Sequence, residues 1–82
     1  MEKLKNELSR ERRFRIDHYL NPVVVLVEKD DRWVRHHVEF GGRVWVIEPQ
    51  PDGTYVGIVS DPSLQPEDLP WWWDAEIVEE RP

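Results

Sequence analysis

The stretch from Arg32 to Glu48, RWVRHHVEFGGRVWVIE, decides the fold. Two alternating runs flank Gly41-Gly42, and adjacent glycines supply the positive φ that a tight two-residue hairpin needs. The first run, Arg32 to Phe40, sorts into Val34, His36, Val38 and Phe40 against Trp33, Arg35, His37 and Glu39. The first set is the more apolar and is expected to face the core. The second run, Arg43 to Glu48, sends Val44 and Val46 one way and Trp45 and Ile47 the other.

Working outward, Val23-Val24-Val25-Leu26-Val27 is an unbroken apolar run ahead of Glu28. Such a run reads as a central strand buried on both faces, or one whose single face is covered by a helix. Lys29-Asp30-Asp31 is a polar turn. On the other side, Pro49-Gln50-Pro51-Asp52-Gly53 is a second turn, where proline fixes φ and Asp-Gly closes the loop. Thr54 to Val59 follows as a fourth strand. Gly57 lies opposite the Val56 and Ile58 face and marks a bulge or a close approach. Residues 23–59 thus read as a four-stranded antiparallel meander.

The flanks are less regular. Residues 1–20 read as a helical segment: Leu4 and Leu8 are four apart, Glu11 and Arg15 form an i,i+4 pair, and Lys, Leu, Glu and Arg dominate. A rival reading takes Phe14, Ile16, His18 and Leu20 at period two, as a strand. Asn21-Pro22 ends either element. Residues 60–82 hold a connector with Pro62, Pro66 and Pro70, then Trp71-Trp72-Trp73, then Asp74 to Glu79 as a fifth, closing strand. The expected fold is α+β. An N-terminal helix packs on a small antiparallel meander of four to five strands and covers Val24, Leu26, Val34, Val38, Val44 and Val46, or their opposite-parity neighbours. The alternative is a small SH3-like or OB-like barrel. The 82 residues are read as one domain, because half that length is too short to hold a core.

Composition excludes several functions. With no Cys there is no disulfide, thiolate zinc site or cysteine nucleophile. The longest strongly apolar run, Val23 to Val27, is far short of the roughly 20 residues of a membrane-spanning helix. No apolar signal core follows the charged N-terminus, so a cytoplasmic protein is expected, with no membrane partner. The net charge of −6 is uneven. Residues 1–20 hold six basic and four acidic groups, +2, whereas residues 21–82 hold five basic and thirteen acidic, −8.

Two clusters are candidates for function. Five tryptophans exceed what so small a core needs. Trp33 and Trp45, on the non-core faces of neighbouring strands, are expected to join Trp71, Trp72 or Trp73 in an aromatic patch ringed by charge, which is the composition of a protein-binding hot spot. The competing reading places these rings in a second core layer. Arg10, Arg12, Arg13 and Arg15 are candidate phosphate contacts for a nucleic acid, although in a helix no single face would carry all four. His36-His37 is not read as a metal site, because adjacent strand residues point to opposite faces and zinc needs three or four converging ligands. No serine sits in a nucleophile pattern, and no glycine loop cradles phosphate. The expected function is therefore a non-enzymatic protein-binding or regulatory module, without cofactor or metal, acting on a protein partner or as a homo-oligomer. Its alternatives are nucleic-acid contact through the basic N-terminal segment and an acidic nucleic-acid mimic that blocks a basic partner.

Overall fold

The computed structural model describes residues 10–17 and 21–81. Six strands run in chain order: β1 (Glu11–Ile16), β2 (Val23–Lys29), β3 (Val34–Phe40), β4 (Arg43–Pro49), β5 (Tyr55–Val59) and β6 (Trp73–Arg81). They form one sheet in the order β2-β3-β4-β5-β1-β6, every pair antiparallel. The helical element among the described residues is a single 3-10 turn, Pro66–Asp68.

The α+β expectation is corrected accordingly: the described chain is essentially all-β. Of the expected helix over residues 1–20, positions 1–9 and 18–20 lie outside the described residues, and Glu11–Ile16 is a strand inserted between β5 and β6. Period two outweighs helix propensity here because alternate residues have two different destinations. Phe14, 1% exposed, enters the apolar core, while Glu11 and Arg13 enter an ion-pair cluster on the opposite face. The barrel alternative is corrected too. β2 and β6 remain at the two edges and do not pair, so the sheet stays open.

The hairpin at Gly41-Gly42 has φ of 63° and 77°, both left-handed. This two-residue turn sets Phe40 opposite Arg43, and hence Val38 opposite Trp45 and His36 opposite Ile47. Directly opposed residues share a face, so Trp45 and Ile47 join the core and Val44 is left exposed. Nothing lies within 4 Å of a Cβ built at Gly42, so Gly42→Ala meets backbone strain alone. It is expected to cost about 1 kcal/mol, read as a lower urea midpoint with an unchanged slope.

The core lies on one face. Phe14, Val38, Trp45, Ile47, Val59, Trp72 and Trp73 are buried there, with Leu64 and Leu69 of the connector packed over them. Gly57 admits Trp73, whose six-membered ring occupies the space a side chain would take. The opposite face holds charge. Arg13, 4% exposed, pairs with Glu48, with Glu11 at 3.1 Å and with Glu79 at 3.3 Å. Arg35 reaches Glu11 at 2.9 Å and Glu48 at 3.4 Å, with its guanidinium 4.4 Å from the Trp33 ring centre. Guanidinium and carboxylate thus compensate each other where water is excluded.

β2 departs most from expectation. The apolar run is an edge strand, and Val23 through Val27 are all exposed. Among the described residues its one neighbouring strand is β3, and its register shifts by a bulge between Val24 and Leu26.

Candidate functional site

The connector is built by short side-chain and backbone bonds. The Asp61 carboxylate accepts from the Ser63 amide at 2.9 Å and hydroxyl at 2.7 Å, which holds its pKa below the usual aspartate range. The Gln65 amide donates to Asp68 at 3.0 Å and the Asp68 amide returns a bond to the Gln65 carbonyl at 2.9 Å, closing the 3-10 turn. Arg12 ties the segment to the sheet by donating to the carbonyls of Asp61 at 2.7 Å and Leu64 at 3.2 Å. The Trp73 amide then donates to the Pro70 carbonyl at 3.0 Å, making Pro70 to Trp73 a turn. Trp71 stands on its outer corner and Trp72 turns inward. That is why adjacent tryptophans differ so sharply, Trp71 being 67% exposed and Trp72 0%.

Between this turn and the β3–β4 hairpin lies an open groove of about 740 Å³. Trp71 forms one rim, Phe40 and Trp45 line the groove, and Arg43 and Asp68 supply charge. The Trp45 indole N–H donates to the Phe40 carbonyl at 3.1 Å, fixing the floor. Phe40 packs edge-on against Trp72 with ring centres 5.7 Å apart, so the groove rests directly on the core. The Arg43 guanidinium lies 5.4 Å from the Trp45 ring centre. Among the described residues it has no carboxylate within ion-pair distance, although its charge helps to lower the Asp61 pKa.

The five tryptophans are therefore not brought together as one patch. Trp45, Trp72 and Trp73 are core, with Trp45 and Trp73 edge to face at 5.5 Å. Trp33 is half-buried on the opposite face beside Arg35. Trp71 and Trp45 line the same groove. Phe40, which the alternation placed on the core face, completes it with Arg43, Leu69 and Pro70, which the sequence does not mark as site residues. The two-residue turn that pairs Phe40 with Arg43 was the available signal.

The four candidate arginines are likewise dispersed, and each has an internal partner. Arg10 lies 3.5 Å from Glu80, Arg12 holds the connector carbonyls, and Arg13 is buried in its carboxylate cluster. Arg15 pairs with Asp74, and that contact raises the guanidinium pKa further. On β1, Arg12 points to one face and Arg13 and Arg15 to the other. His36 and His37 also take opposite faces, with His37 Nε2 2.6 Å from Glu28. His18 lies outside the described residues. No group of three or more His, Cys, Asp or Glu able to hold a metal occurs among the described residues. No helix among them is long and apolar enough to cross a membrane.

Compared with known proteins, the chain matches no family model, no curated protein and no solved structure.

Proposed function

We propose that this chain is a non-enzymatic protein-binding module, working in the cytoplasm, whose docking surface is the groove beneath Trp71. One observation carries the reading: a tryptophan 67% exposed at the rim of an aromatic-floored groove, in a chain that buries three of its other four tryptophans. A turn closed by a backbone bond leaves most of that ring's surface exposed, and exposed aromatic surface of this kind marks interaction sites. Tryptophan and arginine are the residues that most often anchor protein interfaces, and the groove presents one of each. Its occupant is an extended segment of a partner protein with an apolar side chain for the Trp71–Phe40 cleft and a carboxylate for Arg43. The lack of Cys suits a reducing compartment. Nucleic-acid contact through the basic segment gains no support, since Arg12 and Arg13 are already committed to the chain's own acceptors.

The test is capture of partners from cell extract, identified by mass, by wild type and by Trp71→Ala. Trp71 projects outward, so the substitution is expected to leave thermal stability within about 0.5 kcal/mol of wild type. Loss of the partner with Trp71→Ala, and also with Arg43→Glu, is the expected outcome. If both variants retain the wild-type partners at wild-type affinity, the groove is not the docking surface.

A further inference from the structure

A second surface stands apart from the groove. Val23, Val24, Val25, Leu26 and Val27 are 63, 41, 54, 53 and 47% exposed along the β2 edge, whose outer backbone N–H and C=O groups no other strand among the described residues covers. An edge strand of this kind is a template for pairing with another strand, and folded proteins usually blunt it with charge. The opposite edge is blunted in that way: β6 carries Asp74, Glu76, Glu79, Glu80 and Arg81. β2 carries no charge between Val23 and Val27.

We propose that β2 pairs antiparallel with β2 of a second copy of this chain, about a two-fold axis at Val25, the residue at the bulge, so that the irregular step of each strand faces that of the other. In that register Val23 opposes Val27 of the second copy and Val24 opposes Leu26, so every residue of the apolar run meets an apolar residue. Two features of the sequence stop the ladder at the ends of the run. Pro22 has no N–H to donate, and in this register it stands opposite the charged Glu28, just past the apolar run. A two-fold contact is closed, and it leaves the two acidic β6 edges outermost, where they stop further growth of the twelve-stranded sheet. The contact is edge to edge, so it rests mainly on the backbone ladder and is smaller than a standard interface, which fits a dimer of micromolar affinity. Each copy carries −6, so screening by salt strengthens the pairing.

The experiment is sedimentation of the full chain over a concentration series, at low and high salt, with Val25→Lys alongside. Wild type is expected to dimerise in the micromolar range, more tightly in high salt, and Val25→Lys to raise the dissociation constant at least ~10-fold without changing the thermal midpoint. The geometry is read separately from single cysteines, each the sole thiol of its chain. Under oxidation Val25→Cys is expected to cross-link rapidly, because directly opposed Cα atoms lie about 4.5–5.5 Å apart. Lys29→Cys is expected not to, since the two positions lie roughly 26 Å apart across the axis. A strict monomer at about 100 μM, against the micromolar range of standard weak interfaces, overturns the proposal, as does pairing that weakens in salt or cross-links at Lys29→Cys instead. Partner capture through the groove is unaffected by any of these outcomes, because Val25 lies outside it.

Discussion

Gly57→Val is expected to destabilise the protein strongly. By strand preference alone the change should help, since glycine inside a strand costs about 0.5–1 kcal/mol against alanine and valine is a strong strand former. The packing reverses that expectation. A Cβ at position 57 would lie 2.5–2.6 Å from three atoms of the Trp73 six-membered ring, where carbon contacts settle near 3.5–4.0 Å. The ring has no room to retreat, being 5.5 Å from Trp45, 6.2 Å from Trp72 and 6.3 Å from Phe14 centre to centre. Overpacking of this kind costs about 3 kcal/mol or more, out of the roughly 5–15 kcal/mol that holds a small domain folded. A thermal midpoint lower by about 10–20 °C would register it. Gly57→Val combined with Trp73→Leu is expected to recover part of the loss, because the smaller side chain vacates the contested space. A Gly57→Val chain as stable as wild type would show that Trp73 does not lie over Gly57.

Arg13→Met is the second large effect, at about 3–5 kcal/mol at neutral pH. The guanidinium is buried among the carboxylates of Glu11, Glu48 and Glu79, and removing it leaves Arg35 to face both Glu11 and Glu48, while Glu79 keeps Arg81 at 2.8 Å. In wild type, burial pushes the Glu48 carboxyl pKa up, but hydrogen bonds from Arg13, Gln50 and Arg35, with the charge of Arg13, outweigh it and hold it below the usual glutamate range. A depressed folded-state pKa adds stability that is complete above that range and is lost as pH falls through the depressed value. Wild type is therefore expected to weaken below about pH 4. Without Arg13, burial and the neighbouring carboxylates raise the Glu48 pKa, so its penalty is greatest near neutrality and is relieved on acidification. Urea unfolding at pH 7 and pH 4 should show the gap between wild type and Arg13→Met narrowing at the lower pH. A gap independent of pH would mean that Arg13 acts through packing of its aliphatic stem alone. Arg13→Met with Glu48→Met is expected to be far less damaging than either change by itself, since no charge is then left buried without its partner.

What the sequence made legible followed from turns and parity. Gly41-Gly42 has the positive φ its hairpin requires, and Val38 lies on the buried face of β3 as the alternation implied. Gly57 is a close approach, of Trp73. The choice between Val44 and Trp45 for the core was also within reach, because a two-residue turn at 41–42 sets Trp45 opposite Val38. Two features were hidden for physical reasons. Residues 11–16 are rich in Glu and Arg, which favour helices locally, and their strand pairing comes from partners more than forty residues away in β5 and β6. The β2 run looks the same whether its apolar surface is covered by the chain itself or left at an edge, since hydrophobicity specifies burial and not what does the burying. The groove was invisible for a related reason. It needs a connector whose path is set by Asp61, Arg12 and the 3-10 turn, so that one of three adjacent tryptophans is mostly exposed.

The most direct test of docking beneath Trp71 is the equilibrium affinity of a captured partner for wild type, Trp71→Ala and Trp33→Ala. Truncating a hot-spot tryptophan costs about 2 kcal/mol or more, so Trp71→Ala is expected to bind at least ~10-fold more weakly at an unchanged thermal midpoint. Trp33→Ala, on the opposite face, is expected to bind as wild type does. Equal affinity for wild type and Trp71→Ala would contradict the groove as the working surface of this protein.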